Sequence, residues 1–235
     1  MVRVIKEDIQ LANECLELLS DMDGWNLVKE SEDIATFTKG SNDEFMVRAE
    51  MLLKSSVFPV LALFSETQHL SEWVPILEEA RILGTPSMFR RIIHYFFKLP
   101  WPIDNRDTVV SAGAIPIPEN KSVLIIIKTI ERPEYLEVPI PESTTVRMII
   151  KQACLNITYV SEEETQISLI ARCDIKLALI PVSIVNFATK HGVFYFMQQV
   201  RKMCEEYKGS KYEELVESKP QYYGEIKRRF TTIFQ

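Results

Sequence analysis

Residues 181–207 read PVSIVNFATKHGVFYFMQQVRKMCEEY, and the fold turns on how this stretch is read. Proline opens it, where the missing N–H costs a helix nothing, and about 27 helix-compatible residues follow, ~40 Å at 1.5 Å each. Val185, Ala188, Thr189, Gly192, Phe196, Val200 and Met203 recur at three- and four-residue intervals as one stripe. Small residues at 188, 189 and 192 leave room at its middle for something to approach closely. Phe194-Tyr195-Phe196-Met197 reads as core packing with one edge turned to that space.

Upstream the period is that of strands. Segments 80–84, 88–98, 106–114, 122–131, 144–159 and 165–176 are separated by Thr85-Pro86, Pro100-Trp101-Pro102, Pro116–Asn120, Pro133–Pro141 and Ser161–Glu164. Consecutive strands without crossover helices pair antiparallel. Before them, 57–77 reads as two short helices. Segments 25–30, 34–39 and 44–54 read as three more strands. In 44–54, Phe45, Val47, Ala49, Met51 and Leu53 form one face, and Arg48 and Glu50 mark the other. Residues 4–20 form a helix with Ile5, Ile9, Ala12, Leu16 and Leu19 on one side. The order predicts an α+β protein: a curved antiparallel sheet of about nine strands wrapped on a long C-terminal helix. Such a sheet encloses more volume than one helix fills, and the remainder is a pocket unless long side chains fill the gap. The domain spans 1–207, and 208–235 is a helical or partly disordered extension exposed to solvent.

Composition excludes several classes. With 235 residues, 46% hydrophobic and 26% charged, the chain is globular rather than disordered. Lys and Arg number 27 against 33 Asp and Glu, a net charge of −6, with no basic, aromatic-interleaved face for nucleic acid. Lys227-Arg228-Arg229 reads as a solvated helix end, with a transient contact to anionic headgroups as the alternative. Cys15, Cys154, Cys173 and Cys204 lack disulfide or zinc spacing, and Arg3, Lys6, Glu7 and Asp8 stand where a signal peptide is apolar. These features favour a cytoplasmic protein with free thiols, and nothing in the sequence points to an obligate dimer. GxSxG, HExxH, P-loop and GxGxxG motifs are absent, and His69, His94 and His191 have no metal or triad spacing. No catalytic residue, metal or cofactor is expected. Arg106-Asp107 reads as an ion pair at a strand start, and His94 as a surface residue.

Two stretches resemble a known family. KLPWPIDNRDTVV at 98–110 is similar to the Pro-aromatic-Pro loop and Asn-Arg-Asp strand start of START (steroidogenic acute regulatory-related lipid transfer) domains. Residues 180–207 resemble the C-terminal lid helix of phosphatidylcholine transfer protein and its relatives. Gly24-Trp25, Trp73 and Asp174 also sit where the family has such residues. The resemblance implies a helix-grip fold whose tunnel holds one lipid (phospholipid, sterol, diacylglycerol or fatty acid) and moves it between membranes without chemistry. With strand parity it assigns the tunnel lining to Trp73, Phe89, Ile93, Tyr95, Phe97, Thr108, Val110 and Ala112. On the last two strands it assigns Arg147, Ile149, Lys151, Ala153, Ser168, Ile170 and Arg172, and from the helix Val185, Ala188, Thr189, Gly192 and Phe196. Lys151 and Arg172 line the tunnel or, if a bulge shifts the parity, face water. Pro100, Trp101 and Pro102 form a membrane-contact loop, or Trp101 packs within it. In phosphatidylcholine-binding members an arginine and an aspartate flank the tryptophan matching Trp73; here those places hold Leu70 and Val74. That departure points to a less polar cargo, unless Arg147, Lys151 or Arg172 takes an anionic head. Two alternatives stand beside transport: a lipid sensor or scaffold with 208–235 as its effector, and a hydrolase or cyclase acting on a hydrophobic substrate.

Overall fold

The computed structural model describes residues 2–40, 45–99, 101, 103–174 and 182–234, with the backbone alone for 2–3, 45, 182–190 and 233–234. Helix α1 (Val2–Ser20) is followed by strands β1 (Asn26–Ser31), β2 (Ile34–Lys39) and β3 (Phe45–Leu53). Helix α2 (Val57–Ser65) and a 3-10 turn (Thr67–Glu72) lead to β4 (Leu77–Ser87), β5 (Arg90–Phe97), β6 (Arg106–Ile117) and β7 (Ser122–Thr129). A small hairpin, β8 (Glu134–Tyr135) and β9 (Val138–Pro139), precedes β10 (Val146–Arg147), β11 (Ile149–Tyr159) and β12 (Thr165–Asp174). The chain ends in α3 (Val182–Glu205), α4 (Lys211–Ser218) and α5 (Pro220–Phe234).

The main path of the sheet runs β1-β2-β3-β12-β11-β7-β6-β5-β4, nine strands paired antiparallel as expected. One pairing differs from the expectation. The segment 144–159 breaks at Met148, and its first piece, β10, lies parallel to the start of β6.

Both faces of the sheet are covered. On the inner face, Ala49, Met51 and Leu53 of β3, Ile93 and Tyr95 of β5, Val110 of β6 and Ile167 of β12 are buried in one core. Opposite them lie Leu61 of α2, Phe194, Met197 and Val200 of α3, and Tyr223, Ile226 and Phe230 of α5. On the outer face, Leu11, Ala12 and Cys15 of α1 cover Leu124, Ile126, Cys154 and Ile170. The β8–β9 hairpin covers Ile92 and Val109 with Tyr135. Strands buried on both sides lose the apolar–polar alternation that tells one face from the other. All four cysteines are free.

Helix α1 keeps Ala12, Leu16 and Leu19 of its expected face on the sheet and departs from the expectation at Ile5 and Ile9. Asp8, Leu11, Ala12 and Cys15 point inward, while Ile5 and Ile9 are 51% and 55% exposed. Polar contacts fix its setting. Asp8 pairs with Arg90, and Glu7 with Lys128 and Arg132. The Arg48 guanidinium, buried beneath the helix, donates to the carbonyls of Leu18, Leu19 and Asp21 as well as to Glu50. Arg48 therefore lies under α1, although its strand face reads as wet from sequence.

The segment past 207 is not an exposed extension. Gly209, at φ +74°, turns the chain between α3 and α4. The Ser210 hydroxyl then caps α4 by accepting from the N–H groups of Tyr212 and Glu213. Tyr212, Val216, Tyr223, Ile226 and Phe230 are buried in the same core as the inner face. Their spacing of three to seven residues gives each short helix one apolar side, and the inner face supplies the surface that side covers.

Helix α3 also departs in part from its expected face. It lies against β1–β3 and α2, and over its described side chains Phe194, Met197, Val200 and Cys204 point inward. Gly192 is exposed, and a Cβ there would meet nothing within 4 Å. The apolar residues at 193–204 encircle more than one side of the helix; of the expected stripe Val200 is buried, Phe196 and Met203 pack at the edge of the same core, and Gly192 faces away. Packing selects the 194–197–200–204 side, where Phe194 meets β1 under the Lys29 ammonium, 3.8 Å from the ring centroid.

Candidate functional site

Strand β5 presents Arg91, Ile93, Tyr95 and Phe97 to the inner face, because Ile92 and His94 belong to the outer one. Beside it β6 presents Thr108, Val110, Ala112 and Ala114, and β7 presents Val123 and Ile125. The alanines of β6 project least, and a cavity of about 60 Å³ remains above them. Leu61 and Phe64 of α2, with Ser65 and Thr67, close one side; Tyr222, Ile226 and Phe230 of α5 close another. The lining is apolar apart from Arg91, which is bonded to Tyr222, and from Ser65 and Thr67.

The helices around this space are fastened by polar links between 66–73 and the C-terminal segment. Glu66, 1% exposed, accepts from Lys219 Nζ at 2.6 and 2.8 Å, Tyr223 Oη at 2.7 Å and Gln68 Nε2 at 2.8 Å. Burial alone would raise the Glu66 carboxyl, but the bonds from Lys219, Tyr223 and Gln68 outweigh it and hold the group below its usual range. Trp73 Nε1 donates to Tyr212 Oη at 2.8 Å, and its indole stacks on Phe196, with centroids 5.8 Å apart. Lys211 reaches Glu72 at 2.6 Å.

A second polar cluster sits on the outer face. Asp107, 1% exposed, accepts from His94 at 2.7 Å, Ser143 at 2.5 Å and Arg147 at 2.9–3.0 Å. Burial pushes its carboxyl up, and the bonds from Ser143, Arg147 and His94 bring it below the ordinary value. His94 is thus buried, not on the surface. Asp107 pairs with Arg147, while Arg106 donates to the carbonyls of Asp104 and Asn105. The cluster pins 143–147 beside the start of β6.

The expected tunnel residues divide into groups. Phe89, Ile93 and Ala112 line the cavity. Tyr95, Phe97, Thr108 and Val110 continue the same face toward the 98–105 loop, and burial pushes the Tyr95 phenol well above its usual value. Trp73 and Phe196 pack on each other. Ala153 shares the inner parity of Leu155 and Ile157, while Ile149 is half-buried at the start of its strand.

Five others are not on the inner face. Arg147 is held by Asp107 on the outer side. Lys151 is exposed at a bulge, where the pairing with β12 skips from Ile150 to Gln152. Ser168 donates to Glu50, Ile170 lies under α1, and Arg172 follows their parity. Ile167, Leu169 and Ile170 are all apolar, so alternation along β12 does not distinguish its two faces. The side chains of Val185, Ala188 and Thr189, and residues Pro100 and Pro102, lie outside the described residues. Trp101 is 93% exposed, so it does not pack within the loop.

Sequence reasoning missed Arg91, although its parity with Ile93 was legible, together with Thr67. It also missed the whole α5 contribution; the repeat Tyr222/Tyr223, Ile226, Phe230 was the available signal.

No protein-family model and no curated protein matches this sequence. Solved structures do. Human StAR-related lipid transfer protein 5 superposes with a TM-score of 0.77 at 13% identity, over 88% of this chain and 98% of that one. Human STARD10 gives 0.74 at 18%, over 87% and 82%. The lipid transfer and protein localization domain of human StarD13 (DLC2) gives 0.61 at 14%, over 83% and 95%. At such identities the likeness is one of fold. The chain has their α+β helix-grip architecture, and among its described residues no helix is long and apolar enough to cross a membrane.

Proposed function

We propose that this protein binds a single lipid between the inner face of its sheet and the C-terminal helices, and carries it between membranes without altering it. The observation that supports this most is an apolar cavity on the inner face of a helix-grip fold whose solved neighbours are named for lipid transfer. Burial supplies the affinity: each methylene taken from water into such a space contributes about 0.8 kcal/mol. Transfer requires the helices over the space to yield at a membrane. The exposed indole of Trp101, with Pro100 and Pro102, is suited to rest at the interface, where an amphipathic ring finds both apolar and polar surroundings. A monomer acting at the cytoplasmic surface of membranes fits this role.

The cargo we favour is not phosphatidylcholine. Leu70 is buried and Val74 half-buried in the core, and the indole N–H between them is already given to Tyr212. Neither Leu70 nor Val74 offers a cation to a phosphate or a carboxylate to a choline. Sterols, diacylglycerols and fatty acids remain.

An enzymatic reading needs an acid–base pair at the bound molecule. The titratable side chains among the described cavity residues are Arg91 and Tyr222, and arginine stays protonated in proteins. A sensor reading has one observation behind it: α5 walls the cavity, so an occupant pressing on Ile226 and Phe230 would shift that helix. Native mass spectrometry of the purified protein, followed by transfer of the recovered lipid between donor and acceptor vesicles, tests carriage. A bound lipid that moves at protein-dependent rates supports it. An interior that yields no lipid and takes up none overturns it, and binding without transfer favours the sensor.

A further inference from the structure

Several shielded arginines in this fold hold a carboxylate, and Arg106 donates to the carbonyls of Asp104 and Asn105. Arg48 pairs with Glu50, Arg90 with Asp8 and Arg147 with Asp107, at side-chain exposures of 7%, 16% and 24%. Arg91 does not. Half-buried at the cavity wall, it offers Nη1 and Nη2 to one acceptor, the Tyr222 hydroxyl, 3.3 Å from each, and its guanidinium lies 5.4 Å from that ring. A guanidinium carries five N–H donors in a planar fork that matches a carboxylate, and a phenol hydroxyl leaves most of that capacity unused. A second observation lies in the same cavity. Thr67 is 7% exposed, and its hydroxyl oxygen is buried without a hydrogen-bonding partner among the described residues. Buried hydroxyls are ordinarily paired.

We propose that Arg91 and Thr67 form a headgroup site for the carboxylate of a single-chain fatty acid, whose chain runs along the apolar wall beneath α5. The inference rests on the lipid-carrier reading and names its ligand class. One cation suits a monovalent head, since Arg91 is the one cationic side chain among the described cavity residues. The Thr67 hydroxyl donates to the second carboxylate oxygen, or to the same one from the other side. A cavity of about 60 Å³ admits the head and the first carbons. A longer chain takes the place of Ile226 and Phe230, so α5 is the element that gives way.

The test compares dodecanoate with dodecanol, below their micellar or solubility limits, by calorimetric titration of the full chain at pH 8. The wild type is expected to bind dodecanoate at least ten-fold more tightly. Arg91→Leu should bring the ratio to within about two-fold of one, and Arg91→Lys should retain part of the preference. The wild-type ratio needs no variant, and thermal midpoints show whether each variant is folded. Equal binding of the two probes by the wild type, or an undiminished preference in Arg91→Leu, overturns the carboxylate site while leaving the carrier reading intact. If neither probe binds and no lipid is recovered from the protein, both readings fall.

Discussion

Replacing Glu66 by alanine removes the acceptor on which Lys219, Tyr223 and Gln68 converge. The Tyr223 hydroxyl, on a residue 1% exposed, is then buried without a partner, at a cost of about 1–3 kcal/mol. The Lys219 side chain is 41% exposed and returns to water, so losing its bond adds at most ~1 kcal/mol. The sum, about 1–4 kcal/mol, corresponds to a fall of roughly 2–16 °C in Tm for a chain of this size. Urea unfolding of Glu66→Ala, Tyr223→Phe and the double variant isolates the link. The double variant has no orphan hydroxyl, so it should cost about 1–2 kcal/mol less than the sum of the single changes. Additivity to within ~0.5 kcal/mol would refute the reasoning, because Tyr223 would then not depend on Glu66. The pH dependence has a definite sign. Glu66 is held below its usual range, so its charge stabilises the fold above the unfolded value of about 4.3 and ceases to do so as pH falls through the folded value. The gap between wild type and Glu66→Gln should therefore be full at neutral pH and shrink below about pH 4.

Trp101→Ala should leave the urea midpoint unchanged, since the side chain is 93% exposed, while lowering vesicle association in flotation assays several-fold. Asp107→Asn should cost about 2–4 kcal/mol, because it weakens the acceptor of Arg147, His94 and Ser143 at once; hydrogen exchange should show 143–147 opening first. Gly224→Ala should stabilise α5 by about 0.5–1 kcal/mol in thermal melts, because a Cβ there meets nothing within 4 Å and alanine is the better helix former.

The sheet was legible because its breaks are chemical: proline pairs and short polar runs separate segments of strand period, and Arg48 and Glu50 label one face of β3. The faces of β11 and β12 were not legible. With α1 covering Ile170 and Cys154 while the helices cover Ile167 and Leu155, both parities are apolar, and the bulge at Lys151 shifts the count by one. The setting of α1 depends on ion pairs to β5 and β7, which no local pattern reports. The site was half legible: Phe89, Ile93 and Ala112 follow from strand parity, but α5 looks like a polar tail until the inner face gives Tyr223, Ile226 and Phe230 something to cover. Arg91 follows Arg90, and one member of such a charged pair must fall on the inner parity; the pairing with β6 identifies which.

The adjacency of β3 and β12 sets a schedule for the newborn chain. Leu53 pairs with Thr165 and Phe45 with Cys173, partners more than a hundred residues apart. At synthesis rates of 5–20 residues per second, β3 waits on the order of 5–25 s for the strand that covers its edge. During that wait the row from Phe45 to Leu53 presents unpaired N–H and C=O groups beside Ala49, Met51 and Leu53, the kind of template on which chains join one another. The helices from 182 onward, which seal the same core, emerge later still. Yield in the cell should thus depend on translation speed and on chaperones that shield this edge, more steeply than the stability of the finished fold implies.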